Sequence, residues 1–240
     1  MMSEGNKVKN DMFVLDRPST MLVKDVLQRE IEPVRPIDSG LYALGIMDEY
    51  KVEHLPVVEE NILVGLVSEL DLLDMHHPES SLKDQNVPLA QVFVHADEHC
   101  FKAIEIMGEM SLTCLPAVDR QNQYSGYITA RHLVECMGEL TASQEPGGIL
   151  ILEINQNDYS LSEIAQIVES NDAKVLSMYV SSHSDSTKME VTLKINRPDL
   201  SAVIQTFERY EYSITATYQE NRDVEEIQRR FGLFMNYLNM

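Results

Sequence analysis

Two pairs of polar side chains, each spaced three residues apart after an apolar run, carry the clearest chemistry in this sequence. The pairs are Ser68 with Asp71 and Thr129 with His132. An ionised carboxylate accepts hydrogen bonds at both oxygens, so Asp71 can hold two neighbouring hydroxyl groups at once. A neutral imidazole has one acceptor nitrogen and an imidazolium has none, so His132 cannot. The chemistry of these side chains is therefore compatible with a hydroxyl-binding site at the first pair, and with an empty, weaker or differently specific site at the second.

The same spacing also has a purely structural interpretation. In a capping box, a Ser or Thr hydroxyl accepts a backbone N–H at the start of a helix, and an acid three residues later reaches back to the cap amide. Capping is worth about 1 kcal/mol and would explain Ser68 and Asp71 without any ligand. Thr129 would cap in the same way, and His132 would be an ordinary histidine or, if charged, a phosphate contact. Both interpretations stay open at this point.

The two pairs belong to an internal repeat with an offset of 60 residues. Residues 55–58 read LPVV and residues 115–118 read LPAV, and after one inserted residue Gly65 aligns with Gly126. Each copy is predicted to form a helix, a strand, a turn, a second strand and a second helix. Neither copy alone could bury both faces of its small sheet, so we expect the two to pack together.

The first helix of each copy has apolar residues at three-residue spacing, which predicts a buried face. The residues of this predicted face are Leu41, Leu44 and Met47 in the first copy and Phe101, Ile104 and Met107 in the second.

The sequence changes in character after residue 140. Residues 141–148, TASQEPGG, are small and polar and predict a linker. Residues 149–220 then alternate between strand and helix periodicity in the order βαββαβ, the ferredoxin-like plan. Residues 221–240 carry an apolar stripe that predicts an amphipathic helix, docked on its own chain or on a second subunit.

The predicted fold class is therefore α/β (α+β), with two repeats followed by a ferredoxin-like unit. The expected bounds are an N-terminal extension at 1–18, repeats at 19–78 and 79–140, the linker at 141–148, the ferredoxin-like unit at 149–220 and the C-terminal helix at 221–240.

Composition limits the functions that fit. A formal charge of −20 repels nucleic-acid polymers and anionic membrane surfaces, although a small anionic ligand remains compatible with it. Three cysteines without a CxxC pair, and no signal peptide or membrane span, predict a cytoplasmic location. Standard nucleophile, phosphate-loop and zinc motifs are missing from the sequence, so we expect no catalytic residues and no metal site.

The repeat resembles a tandem pair of cystathionine-beta-synthase (CBS) domains, the Bateman module. The LPVV stretch, the glycine before the last strand and the S/T-x-x-D motif occur in the order typical of that family. Residues 149–220 resemble an ACT-like domain, and the two parts together resemble CBS-ACT proteins of the acetoin-utilisation type. The resemblance implies a regulatory, non-enzymatic sensor of adenosyl ligands such as AMP, ADP, ATP or S-adenosylmethionine, with no required cofactor.

The resemblance also assigns roles to residues of the first copy. It implies that Asp71 holds the ribose hydroxyls, that Ser68 lies near phosphate, and that His54, Pro56 and Ile37 enclose the adenine. The corresponding weaker site would consist of Thr129, His132, Cys114 and Pro116.

The family's ACT-like domains that bind amino acids have a glycine in the turn after the first strand, whereas residues 155–160 read NQNDYS. We therefore expect this unit to form a homodimer rather than to sense an amino acid. A regulated partner protein remains open. The alternative to a sensor is a ligand-free structural, dimerisation or protein-interaction module.

Overall fold

Residues 21–182 and 187–219 are described in the computed structural model of the protein. The predicted N-terminal extension and C-terminal amphipathic helix lie outside the described residues. The chain divides into two units, residues 1–134 and 135–240. The domain bounds expected from the sequence stay predictions.

Each copy of the repeat has the predicted order of elements, and both copies lie in the first unit except for the end of the last helix of the second copy. The elements are α1 (Gly40–Tyr50), β1 (His54–Glu59), β2 (Ile62–Ser68), α2 (Glu69–Leu73), β3 (Val94–His95), α3 (Cys100–Met110), β4 (Cys114–Val118), β5 (Tyr124–Thr129) and α4 (Ala130–Leu140). The β1–β2 and β4–β5 hairpins are antiparallel, and both shift register at the corresponding position of their first strand. The two copies thus share their backbone geometry down to the same irregularity.

The leading segments of the two copies are exchanged between them. Gln28, near the start of the first copy, forms a bridge with Tyr127 of the second, and Ala90, near the start of the second copy, forms a bridge with Leu66 of the first. Both bridges are antiparallel and fall at matching places in β5 and β2. Each hairpin is therefore extended by the leading segment of the other copy.

The buried face of the first helix in each copy differs from the prediction. The residues of α1 that face the protein core include the small Gly40 and Ala43, whereas Leu41 is 55% exposed. In α3, Phe101 is likewise 59% exposed. A small residue lets a helix approach its neighbours closely, and a Cβ on Gly40 would collide with the sulfur of Met75. The predicted burial of Leu41 and Phe101 is thus wrong, while that of the two methionines at the helix ends is confirmed.

The second unit has the predicted βαββαβ order. Its elements are β6 (Gly148–Asn155), α5 (Leu161–Glu169), β7 (Val175–Ser182), β8 (Lys188–Ile195), α6 (Ser201–Arg209) and β9 (Ser213–Tyr218). The sheet order is β7-β8-β6-β9 and every pairing is antiparallel, which is the ferredoxin-like arrangement. Alternate residues of β6 are buried against α5 and α6.

In the described part of the chain, no helix is both long enough and apolar enough to cross a membrane.

Candidate functional site

The first copy brings His54, Ser68 and Asp71 together. His54 and Ser68 are opposite one another at the open end of the β1–β2 hairpin. Ser68 caps α2, because its Oγ accepts the backbone N–H of Asp71 at 3.1 Å. Asp71 lies in the first turn of α2 and is joined to Ser68 by that bond. The three residues converge where β2 passes into α2.

The half-buried Asp71 does not complete a capping box. Its carboxylate accepts the hydroxyl proton of Ser68. Within residues 21–182, the backbone N–H of Ser68 does not donate to the carboxylate of Asp71, so only the serine half of the predicted box is present. A carboxylate has about four lone-pair sites, and the Ser68 hydroxyl uses one of them. Asp71 therefore retains the capacity to accept two further hydroxyl groups.

His54 is held by a residue of the second copy. Its Nδ1 lies 3.1 Å from Oγ1 of Thr113 and accepts the backbone N–H of Thr113 at 3.3 Å. Because Nδ1 is an acceptor, the proton of the neutral ring is on Nε2, which is then a hydrogen-bond donor. Burial lowers the pKa of His54, against the opposing effect of the carboxylates of Glu53 and Asp71. The site therefore offers a neutral N–H beside an anionic acceptor.

The two apolar residues predicted for this site lie apart from each other. Pro56 is buried in β1, with its carbonyl accepting the N–H of Val34 at 3.0 Å. Ile37 is 63% exposed. The parallel bridge between Val34 and Val57 directs the chain at Ile37 towards the C-terminal end of β1, whereas His54 begins that strand. The geometry supports Pro56 as a neighbour of the polar residues more than Ile37.

A cavity of about 490 Å³ lies at that far end of β1. Arg35 and Asp38, on either side of Ile37, line it and form an ion pair at 2.8 Å. The guanidinium of Arg35 lowers the pKa of the Asp38 carboxyl. Since Arg35 already has an anionic partner, the cavity offers little unmatched positive charge to a phosphate.

The second copy arranges its four predicted residues differently. Cys114 is fully buried in the core, and burial raises the pKa of its thiol to about 12, so it is an unreactive apolar residue. Pro116 is buried in β4. Oγ1 of Thr129 accepts the N–H of His132 at 3.3 Å, as a cap should.

Gln28 contacts this second pair, and the sequence did not predict it. Its Oε1 accepts both the hydroxyl of Thr129 at 2.8 Å and the backbone N–H of Thr129 at 3.1 Å. Thr113, which positions His54, was also missed. Gln28 belongs to the first copy and contacts the second, whereas Thr113 belongs to the second copy and contacts the first. No local sequence pattern carries that information.

The donors and acceptors of the first copy can form hydrogen bonds with a nucleoside. A carboxylate, a hydroxyl and an imidazole N–H match the hydroxyl groups and ring nitrogens of a nucleoside. Among the described residues, no group of three or more His, Cys, Asp or Glu side chains could hold a metal ion.

Comparison with protein families identifies the repeat. The model of the CBS domain matches residues 23–77 and 86–139. The chain carries two tandem CBS domains. The exchanged segments at Gln28 and Ala90 thus lie inside the first and second matched ranges, respectively, and each CBS domain contributes its leading segment to the other.

Curated relatives share the CBS domains as part of longer enzymes. Inosine-5'-monophosphate dehydrogenase of Thermoplasma acidophilum is 28% identical over 191 residues, covering 78% of this chain and 37% of the relative. The same enzyme of Methanocaldococcus jannaschii is 26% identical over 149 residues, covering 60% of this chain and 29% of the relative. This chain therefore matches well under half of the length of either enzyme.

Solved structures also resemble the chain. A CBS domain pair/ACT domain protein from Thermotoga maritima is 24% identical with a TM-score of 0.44, covering 49% of this chain and 96% of that one. The chain of CBSX2, solved in complex with AMP, is 26% identical with a TM-score of 0.42, covering 48% of this chain and 95% of that one.

Proposed function

We propose that the tandem CBS domains form a non-catalytic sensor that binds an adenosyl ligand at the first domain. The observation that carries the proposal is the convergence of His54, Ser68 and Asp71. Asp71 accepts the two ribose hydroxyls, and Ser68 lies on the phosphate side. The Nε2–H of His54 donates to the adenine, against Pro56 and with Ile37 at the periphery.

A sensor needs the ligand to favour one arrangement of the protein over another. A ligand shifts such an equilibrium only by its difference in affinity for the two arrangements. Because His54 is bonded to Thr113, a ligand that contacts His54 acts on both CBS domains at once. In this proposal the ferredoxin-like unit is an ACT-like domain that forms a homodimer, and a regulated partner protein in the cytoplasm reads the bound state.

Isothermal titration calorimetry tests the binding site. AMP is the first probe because it is the smallest candidate with an adenine, a ribose and a phosphate, and ADP, ATP and S-adenosylmethionine follow. Two charge-assisted hydrogen bonds are worth about 1.5 to 3 kcal/mol each, so Asp71→Ala should weaken binding at least about tenfold.

The matched control is His132→Ala, the same position of the second domain. It should leave the affinity of the first site unchanged. Equal affinities for the wild type and Asp71→Ala would overturn the assignment of the site.

A second candidate function is a ligand-free interaction module, which exposed apolar side chains of the first unit favour. Leu70 of α2 is 75% exposed and Val134 of α4 is 71% exposed. A contiguous patch of exposed apolar side chains is typical of a surface that another protein covers, and this function requires that these residues belong to such a patch. If this function is the right one, none of the four ligands will raise the melting temperature, and Leu70→Glu will reduce the oligomer mass measured by sedimentation.

A further inference from the structure

Gln28 occupies the site of the second CBS domain that corresponds to the proposed ligand site of the first. Its amide oxygen accepts both the hydroxyl and the backbone N–H of Thr129. Thr129 is the counterpart of Ser68 by its position at the end of the second hairpin strand and by its capping bond. A ligand that approached Thr129 would therefore have to displace a bonded carboxamide.

The first domain has no such side chain at the equivalent place. Gln28 forms its bridge with Tyr127, two residues before Thr129, and Ala90 forms its bridge with Leu66, two residues before Ser68. Ala90 thus takes the place of Gln28 in the first domain. Its methyl group cannot reach Ser68 or offer an acceptor to it.

The glycines of the two hairpins confirm that Gln28 and Ala90 are equivalent. A Cβ on Gly126 would lie 2.9 Å from the carbonyl oxygen of Gln28, and a Cβ on Gly65 would lie 3.1 Å from that of Ala90. Both segments therefore cross their hairpin at the same point and at the same close range. The difference between the two domains lies in the side chain and not in the path of the backbone.

A second feature distinguishes the domains two residues further along. Glu30 accepts a hydrogen bond from the hydroxyl of Tyr127 at 3.3 Å, and backbone N–H groups and, to a smaller extent, the charge of His132 lower the pKa of its carboxyl. Two residues after Ala90, the first domain has the buried, apolar Val92. A carboxylate beside the second pair would repel a phosphate group placed there, which adds to the obstruction by Gln28.

We propose that Gln28 keeps the second CBS domain unoccupied, so that each chain binds one adenosyl ligand, at the first domain. The inference rests on the proposed function, because it presupposes that the residue pattern of the first domain can hold such a ligand. Gln28 is a specificity-determining residue in this account: together with the replacement of an aspartate by His132, it decides which of the two domains takes the ligand.

Exchange of the two side chains between the domains tests the proposal, with AMP as the probe and calorimetric stoichiometry as the readout. Ala90→Gln should weaken binding at the first domain at least tenfold. Ala90→Met is the matched control, since methionine has similar length but no carboxamide, and its loss should be smaller. Ala90 is exposed, so both variants should fold, and circular dichroism checks that they do.

The reverse change opens the second domain. The double variant Gln28→Ala/His132→Asp gives it the carboxylate and the small leading-segment residue of the first, and the stoichiometry should rise from one AMP per chain to two. His132→Asp alone should stay at one, because Gln28 remains in place.

The possible results separate this inference from the proposed function. If the wild type binds one AMP and the double variant also binds one, or if Ala90→Gln binds as tightly as the wild type, Gln28 does not select the site. If the wild type binds none and the double variant binds one, the proposed function is wrong for the natural chain and the role of Gln28 is supported. Failure of every variant to bind would overturn both.

Discussion

The imidazole of His54 in the first CBS domain is hydrogen-bonded to Thr113 in the second. Nδ1 of His54 lies 3.1 Å from Oγ1 of Thr113, and the same Oγ1 accepts the backbone N–H of Glu53 at 2.8 Å. The threonine therefore fixes both the backbone and the side chain at the start of β1. Its own position, directly before β4, makes it a connection between the two hairpins.

Thr113→Val should lower the free energy of unfolding of the first unit by about 1 to 3 kcal/mol. Valine has the same shape but loses the bonds of Oγ1 to the N–H of Glu53 and to Nδ1 of His54, and each such bond contributes about 0.5 to 1.5 kcal/mol. Urea unfolding provides the measurement. Ser125→Ala is the control in the same unit, because its hydroxyl makes only a long bond of 3.4 Å, and it should change the free energy by less than about 0.5 kcal/mol. Equal effects of the two changes would show that the Thr113 bonds contribute nothing to stability.

The stability of the first unit should fall as the pH is lowered through the titration range of His54. Burial holds the pKa of His54 below its ordinary value, so at a pH near about 6.5 the unfolded chain binds the proton that the folded chain does not. The stability contributed by the neutral imidazole is complete above the pKa of His54 in the unfolded chain. It is lost as the pH falls through the pKa of His54 in the folded chain. His54→Gln keeps an acceptor for Thr113 but does not titrate. Urea unfolding from pH 7.5 to pH 5 should show the wild type losing more stability than this variant; a constant difference between the two would contradict the assignment.

Local patterns predicted much of this molecule, and the exceptions share a cause. The repeat register, the hairpins and the βαββαβ order follow from self-similarity and from periodicities of two and 3.6 residues. Both can be read from short segments of the sequence. The pairing of Gln28 with Tyr127 is not local, since nothing near Gln28 tells which hairpin its segment will extend. Thr113 was missed for the same reason. The contact between Ser68 and Asp71 was within reach of the sequence because both residues lie in one turn of chain.

Tyr127→Phe should destabilise the first unit by about 1 to 3 kcal/mol, although only an oxygen is removed. The phenol oxygen accepts the N–H of Ile31 at 2.9 Å in the buried part of the unit, and the ring itself is 1% exposed. Phenylalanine would fill the same volume and leave that N–H unsatisfied. Differential scanning calorimetry measures the loss. Tyr124→Phe, on the same strand, is the control and should have a smaller effect; a larger loss there would show that Ile31 is not the important partner.

Gly126→Ala should disturb the leading segment of the first CBS domain, even though the change lies in the second. A Cβ at residue 126 would lie 2.9 Å from the carbonyl oxygen of Gln28, which is closer than real Cβ contacts. The backbone of Gln28 must then move away from β5, and its side chain loses the two bonds to Thr129. Hydrogen exchange should show faster exchange at the amide of Gln28, which is hydrogen-bonded to the carbonyl of Tyr127, and at that of Thr129.

Gly108→Ala, in α3 with open space around its Cβ, should instead stabilise the protein by up to about 1 kcal/mol and leave those amides protected. Protection of both amides in Gly126→Ala would contradict this account, because it would show that the exchanged segment can pass over β5 without a glycine at residue 126.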